Sequence, residues 1–334
     1  MLSYVDAREP GFTRRKRGQH WHYFDVDGRR ITDAGEIARL NKLGVPPAYA
    51  RVWFSPDPDG HLQAVGYDAK GRRQYRYHEE FRSARESDKY DRCGSFGAAL
   101  PRLRAVVDEE IAARGLGRRK VLAAIVRLLD HGHIRVGNDV YAAQNNSYGA
   151  TTLLHEHSKV RGDRVKLEYR GKSGKMQRVV IADASLAKIV RRCHDLPGQA
   201  LFQYVGADGE PHRIGSADVN AYIKDAMAGD FSAKHFRTWG ASVIAFETIV
   251  AADPATLTLK LMLEPVAAAL GNTPAISRKS YVHPSLIELV SKGRAADLAG
   301  AKLPRATRHL SASERGLIAF LAGDAAAEKF VEDD

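Results

Sequence analysis

The spacing of apolar residues shifts from a two-residue to a helical period near Phe96, and that change limits the folds open to this chain. From residue 11 to about residue 78, apolar and aromatic residues fall in short alternating runs over residues 22–26, 51–54, 62–67 and 74–77. A two-residue period sends successive side chains to opposite faces of a strand, and Asp27-Gly28 and Asp59-Gly60 supply turns between runs. Beyond Phe96 the period is helical: Leu100, Leu103, Val106 and Val107, then Val121, Ile125, Leu128 and Leu129, line one face. A charged stretch over residues 79–94 lies between, with Gly94-Ser95 read as a link. The expected fold class is α+β: a small N-terminal β-sheet domain, residues 1–94, and a larger, mostly α-helical domain, residues 95–334. In the second domain alternation returns at Val165, Leu167 and Tyr169, Gly171-Lys172-Ser173-Gly174 turns the chain, and residues 176–181 run back. That is a β-hairpin with a lysine at its tip. Past Leu310, Ser311 and Glu314 have capping-box spacing ahead of Leu317, Ile318 and Leu321.

Charge narrows the partners. Lys and Arg number 51 against 40 Asp and Glu, a formal charge of +11, which suits a polyanion but equally a solvated basic surface. Cys93 and Cys193 are too few for a disulfide framework or a four-cysteine zinc site, as befits a reducing compartment. Neither a basic flank with an apolar core at the N-terminus nor an apolar run of about 18–20 residues occurs, so a cytoplasmic protein is expected. The pairs His20 and His22, His131 and His133, and His155 and His157 have no third ligand at metal spacing and read as structural or surface histidines.

Four segments of the second domain carry candidate chemistry. Arg135, in Ile134-Arg135-Val136-Gly137, falls on a loop just after a helix ending near Gly132. Lys172 stands at the hairpin tip, where the full phosphate-loop spacing is missing and strands flank the glycines, so nucleotide binding is rejected. Lys234 and Arg237 share a face in the first turn of a helix running through Val243, Ile244 and Phe246, a poor place for cations unless an anion sits there. Tyr281 lies late on a short helix that Thr273 caps, Pro274 begins and Pro284 limits, with Gly271 closing the helix before it. Taken singly, these are equally an exposed loop arginine, a solvated turn lysine, a tolerated surface pair and a core tyrosine.

Jointly they are equipped for phosphoryl transfer at a phosphodiester. A free tyrosine has a pKa near 10, so phenolate at neutral pH costs about 4 kcal/mol unless cations lower it. Guanidinium forks match the non-bridging oxygens of a pentacoordinate transition state, which makes Arg135 and Arg237 the candidates for holding that charge. Lys172 can protonate a departing 5' oxygen as general acid. Asn272 can add one neutral hydrogen bond.

In this order the residues are recognisable, and nearly the whole chain resembles the type IB DNA topoisomerases, in particular their small bacterial and poxvirus-like branch. Arg135, Lys172, Arg237 in Lys234-His235-Phe236-Arg237-Thr238-Trp239-Gly240, and Tyr281 in Ser277-Arg278-Lys279-Ser280-Tyr281 occupy that family's arginine, lysine, arginine and nucleophilic tyrosine positions. Gly71-Arg72-Arg73-Gln74-Tyr75-Arg76-Tyr77 is similar to its N-terminal DNA-touching strand, implying contacts from Gln74, Tyr75 and Tyr77. Tyr141 resembles a DNA-contacting tyrosine, and Lys234 is a further implied contact. Asn272 departs from the pattern where the family often has histidine, although asparagine also occurs in the bacterial branch. The resemblance implies a two-lobed clamp on double-stranded DNA, a 3'-phosphotyrosyl intermediate, strand rotation and religation without ATP or metal, a monomer, and a cytoplasmic, nucleoid-associated enzyme.

Two other readings stay open. A tyrosine recombinase shares the arginine, lysine and tyrosine logic, but here no glutamate follows Arg135 in an Arg-x-x-Glu pattern, Lys234 replaces the histidine of a His-x-x-Arg element, and the first domain is sheet-rich. A non-enzymatic DNA-binding protein of the same fold would have lost the chemistry, against which the intact set of four argues.

Overall fold

The computed structural model describes residues 2–323, which divide into two compact units with the boundary between Lys89 and Tyr90. In the first, β1 (Thr13–Arg17) pairs antiparallel with β2 (His20–Phe24), and α1 (Ala34–Lys42) precedes β3 (Ala50–Phe54), β4 (Leu62–Tyr67) and β5 (Arg73–Tyr77). The last three form an antiparallel sheet in the order β3-β4-β5, and a bridge from Phe12 to Phe54 brings the hairpin alongside β3. Tyr23, Leu40, Val52, Phe54 and Ala64 make its core, with the Tyr23 and Phe54 rings edge-on at 5.5 Å. The Tyr23 hydroxyl donates to Asn41 Oδ1 at 2.7 Å, tying the sheet to α1.

Three features depart from the expected sheet. Strand β2 ends at Phe24, and Val26 lies in the turn that follows. Strand β1 has no apolar alternation because its inward position is Arg14, whose guanidinium stacks 4.0 Å over Trp21 and donates to the Val45 and Pro46 carbonyls. An arginine stem thus does the work of an apolar residue. Helix α1 is held by an Asp33 cap to the Glu36 amide and buries Leu40.

The region read as a charged stretch and a Gly94-Ser95 link is instead one helix, α2 (Glu79–Ala112). Its glycines mark close packing. That holds for Gly97, where a Cβ would stand 2.2 Å from the Trp239 ring, whereas one on Gly94 would meet Leu321 in ordinary contact at 3.6 Å. Glycine lowers helix propensity by about 1 kcal/mol, but it also lets another element approach the backbone.

The second unit continues with α3 (Arg118–Gly132), α4 (Asp139–Asn145), β6 (Ser158–Arg161), β7 (Arg164–Arg170), β8 (Met176–Ala182) and α5 (Ala184–His194). After β9 (Gln203–Val205) and β10 (Pro211–Arg213) come α6 (Ser216–Met227), α7 (Ala233–Ala251), α8 (Leu259–Leu270), α9 (Pro274–Ser280), α10 (Pro284–Ser291) and α11 (Ala312–Ala322). The expected hairpin is β7–β8, with Val165 opposite Ile181 and Leu167 opposite Val179. A third strand, β6, extends it, and β9–β10 form a separate ladder. Val165, Leu167 and Tyr169 face inward, where α3, whose middle is buried from Val121 to Val126, supplies the opposing surface. Pro284 is the first residue of α10 rather than only a stop for α9.

A buried ionic cluster fastens α11. Arg104 of α2 donates Nε and Nη2 to both Asp130 oxygens at 2.8 and 2.9 Å, and Nη1 and Nη2 to both Glu314 oxygens at 2.8 and 2.7 Å. Glu314 also accepts from the Trp239 indole at 3.1 Å, while Ser311 and Glu314 complete the expected capping box. Among the described residues no helix is long and apolar enough to cross a membrane.

Candidate active site

Arg135 follows α3, whose last turn is closed by His133 in the left-handed region, its amide bonded to the Leu129 carbonyl. The loop is fixed by a second strand of chain: Ala150 donates to the Arg135 carbonyl at 2.8 Å and Thr151 to that of Val136 at 2.7 Å. This approach is why position 149 is glycine, since a Cβ there would stand 2.5 Å from the Arg135 oxygen. Arg135 Nη2 lies 3.3 Å from the Tyr281 hydroxyl and 3.4 Å from Asn272 Oδ1, loose contacts at the edge of bonding distance.

Arg237, 4% exposed, is carried by α7. It donates Nη1 to the His133 carbonyl and Nη2 to the Leu270 carbonyl at 3.1 Å. Those carbonyls end α3 and α8, where the helix dipoles are negative, so two helix C-termini hold the guanidinium. This is the physical reason a cation is tolerated near the start of α7. Its guanidinium carbon sits 4.7 Å from the centre of the Tyr281 ring. Its Nε and the Asn272 Nδ2 are buried without a hydrogen-bond partner among the described residues. Arginine has only donors, so the atom of Asn272 facing Arg135 must be its oxygen, which leaves the amide nitrogen free to donate.

Tyr281 terminates α9 in a non-helical conformation, its amide bonded to the Ser277 carbonyl at 3.1 Å. Thr273 caps that helix and Gly271 closes α8 in the left-handed region, as their spacing indicates. Burial pushes the Tyr281 phenol up, but the charges and hydrogen bonds of Arg237 and Arg135 outweigh it and hold the phenol below the ordinary tyrosine value. Tyr169 feels the same two arginines yet is pushed up to about 12, because burial dominates there.

A cleft of about 410 Å³ is lined by Arg135, Lys172, Arg237 and Tyr281, together with Tyr141 and Lys234. Four of the five candidate catalytic residues therefore face one space, and Asn272 joins them through Arg135. Lys172 is exposed in a short turn where Ser173 and Gly174 are left-handed. Tyr141 lies on α4, 49% exposed. In the first unit Tyr75 and Tyr77 are exposed and stacked, ring centres 6.0 Å apart, whereas Gln74 falls on the alternate face and donates to Asp68 at 3.2 Å. Sequence reasoning missed Ser147, Tyr148 and Asn138, which also line the cleft. Only Asn138 left a signal, as a capping residue ahead of α4.

None of the histidines or cysteines lines the cleft, and His20 and His131 are exposed. His155 stacks on His194 at 4.9 Å, the His133 ring lies over Gly240, and Cys93 and Cys193 are buried thiols. Among the described residues no three His, Cys, Asp or Glu side chains group as metal ligands.

Residues 78–295, which contain all five candidates, match the model of the eukaryotic DNA topoisomerase I catalytic core. The chain belongs to the type IB DNA topoisomerase family. Residues 20–68 match the N-terminal domain of bacterial DNA topoisomerase IB. DNA topoisomerase 1B of Acanthamoeba polyphaga mimivirus is 31% identical over 292 residues, 84% of this chain and 87% of its own. That of Vaccinia virus (strain Copenhagen) is 25% identical over 240 residues, 68% of this chain and 71% of its own. Among solved structures, the XerH site-specific recombinase bound to its difH substrate aligns over 57% of this chain and 51% of its own, at 15% identity and a TM-score of 0.38.

Proposed function

We propose that this type IB topoisomerase cuts one strand of duplex DNA through Tyr281, lets the duplex rotate, and reseals it. The observation that carries the reading is the pairing of a half-buried phenol with two guanidiniums that have no carboxylate partner among the described residues. Such a site has positive charge to give, and a phosphodiester passing to a pentacoordinate state has charge to receive.

In the proposed step the Tyr281 oxygen attacks phosphorus while Arg135, Arg237 Nε and Asn272 Nδ2 take the non-bridging oxygens. Lys172 Nζ gives its proton to the departing 5' oxygen, leaving a 3'-phosphotyrosyl link and a free 5' hydroxyl. The link conserves the phosphodiester's free energy, so resealing calls for no ATP, and arginines take the charge-stabilising role a metal would otherwise fill. Tyr141 and Lys234 contact the DNA beside the cleft, and Gln74, Tyr75 and Tyr77 contact it from the first unit. A monomer suffices, acting in the cytoplasm on nucleoid DNA.

The test is relaxation of positively and negatively supercoiled plasmid in EDTA without ATP, with the trapped adduct mapped for residue and polarity. Tyr281→Phe should bind DNA and form no adduct. An adduct on another residue or at a 5' phosphate overturns the proposal, as does recombination between defined sites without plasmid relaxation.

A further inference from the structure

Gln177 lies on β8 opposite Tyr169 and is not among the residues lining the cleft. Its side chain occupies the space over two glycines, and each of these directly precedes a candidate site residue. A Cβ on Gly171, the residue before Lys172, would stand 2.8 Å from Gln177 Cγ. On Gly271, the residue before Asn272, it would stand 2.2 Å from Gln177 Oε1 and 2.8 Å from Nε2. Gly271 is the left-handed cap of α8 and suits glycine for that reason alone. Gly171 has φ −93°, open to any residue, so its backbone conformation makes no demand for glycine. The passage of the Gln177 side chain does.

The hairpin tip otherwise holds itself by local bonds: Gly171 donates to the Lys175 carbonyl at 2.8 Å and Gly174 to that of Gly171 at 3.1 Å. Residues 172–176 are exposed. Gln177 is thus a wedge between the neck of the Lys172 turn and the turn that leads into Asn272 and α9. General acid catalysis needs heavy atoms within about 2.6–3.2 Å, a demand that a freely swinging tip meets only a fraction of the time.

We propose that Gln177 is a positioning residue, which docks the hairpin against the Gly271-Asn272 turn so that the Lys172 ammonium meets the departing oxygen as Tyr281 attacks. The proposal rests on the reading of Lys172 as general acid. In the step concerned the Tyr281 O–P bond forms, the P–O5' bond breaks, the Lys172 proton passes to O5', and the phenol proton goes to solvent. Without Gln177 the phenol and arginines keep their places and proton delivery fails.

A leaving group that needs no proton separates this from general damage. Sulfur in place of the bridging 5' oxygen departs as a thiolate, thiols having a pKa of about 8.5. Single-turnover cleavage is measured on a duplex carrying the mapped cleavage site, with oxygen or sulfur at that position. Gln177→Ala should cut the oxygen strand about 10- to 100-fold more slowly than wild type, part of the about 10²- to 10⁴-fold a general acid contributes, and should cut the sulfur strand within about threefold of wild type. Gly171→Ala, which displaces the wedge from the other side, should show the same rescue, while Gln177→Met, which keeps length and bulk, should hold the tip and cut the oxygen strand within about threefold of wild type, all three with unchanged melting temperatures. Lys172→Ala is the control: if sulfur does not rescue it, the reading of Lys172 fails. If sulfur rescues Lys172→Ala but neither Gln177→Ala nor Gly171→Ala, if Gln177→Ala cuts the oxygen strand at the wild-type rate, or if Gln177→Met is as slow as Gln177→Ala, the positioning role is wrong.

Discussion

Replacing Arg135 by alanine removes one of the two charges that depress the Tyr281 phenol, and the size of the effect follows from the geometry. Arg135 Nη2 stands 3.3 Å from the phenol oxygen, and the ring is half-buried. Unit charges about 4 Å apart interact by about 4 kcal/mol at an effective dielectric near 20 and about 1 kcal/mol in bulk water. An intermediate loss of about 2–3 kcal/mol of phenolate stabilisation moves the phenol up. Removing a donor from developing negative charge typically costs about 10²- to 10³-fold in rate, and because both effects express one field they are not summed. Arg135→Ala should therefore form adduct about 10²- to 10³-fold more slowly at pH 7, and its rate should rise with pH along a limb displaced upward from that of wild type. Arg135→Lys keeps the charge, but Nη2 alone meets both Asn272 and Tyr281, and a single ammonium in its place leaves no second planar donor for a non-bridging oxygen. It should restore the position of the limb and remain about tenfold slow. The assay is covalent adduct trapped by denaturant between pH 6 and about 10, with DNA affinity measured alongside. An alanine variant whose limb does not move, or whose rate falls less than about fivefold, refutes the electrostatic argument.

Four further outcomes follow from single contacts. Asn272→Ala should slow adduct formation by about 5- to 30-fold, the worth of one neutral hydrogen bond of about 1–2 kcal/mol, without moving the pH limb; a displaced limb would contradict its neutral role. His235, stacked on Phe96, is pushed down to about 4 by burial. Between its unfolded value of 6.5 and about 4 the unfolded chain binds a proton the folded chain refuses, so stability is full above that window and is lost as pH falls through it, by about 3 kcal/mol. The urea-measured stability difference between wild type and His235→Phe should change by that amount from pH 7 to pH 4, and a flat difference would rule it out. Glu314→Ala leaves Arg104 with Asp130 alone and the buried Trp239 indole without its acceptor, and should cost about 3 kcal/mol, lowering the melting temperature by about 6–12 °C; a shift under about 2 °C would remove the cluster from the stability argument. Gly97→Ala, which on a free helix face would stabilise by about 1 kcal/mol, should destabilise by about 1–3 kcal/mol because its Cβ meets the Trp239 ring.

What the sequence disclosed, and what it hid, divides along a physical line. The helix ends at Gly132 and Gly271, the caps at Thr273 and Ser311, and the β7–β8 hairpin depend on local signals, and they stand where the residues put them. The convergence of Arg135, Lys172, Arg237 and Tyr281 was legible only through their order and resemblance, since nothing local brings four segments to one cleft. The glycines of α2 misled because a linker and a close helix contact use the same residue, and only the position of Trp239 separates them. Strand β1 was invisible because Arg14 takes an apolar position by stacking on Trp21, a substitution periodicity cannot register. Helix α1 was missed despite a usable signal, an aspartate cap three residues ahead of Glu36.

The presence of two tyrosines near the same pair of arginines explains why one of them suits the role of nucleophile. Tyr169 lies 3% exposed in the inner face of β7, where loss of hydration outweighs both charges and keeps its proton on well past neutral pH. Tyr281 ends a short helix, retains partial access to water at the cleft, and so keeps the benefit of the guanidiniums without the full cost of burial. A nucleophile in such a site cannot be buried as deeply as Arg237, whereas Arg135 is, like Tyr281, only half-buried. Arg237 can be buried because two helix C-termini offset its charge with carbonyl oxygens, a compensation available to a cation and not to a phenolate. The asymmetry sets a limit on redesign: moving Tyr281 deeper adds to the burial that raises its pKa, and at Tyr169, which the two arginines reach by charge without a hydrogen bond, burial already wins.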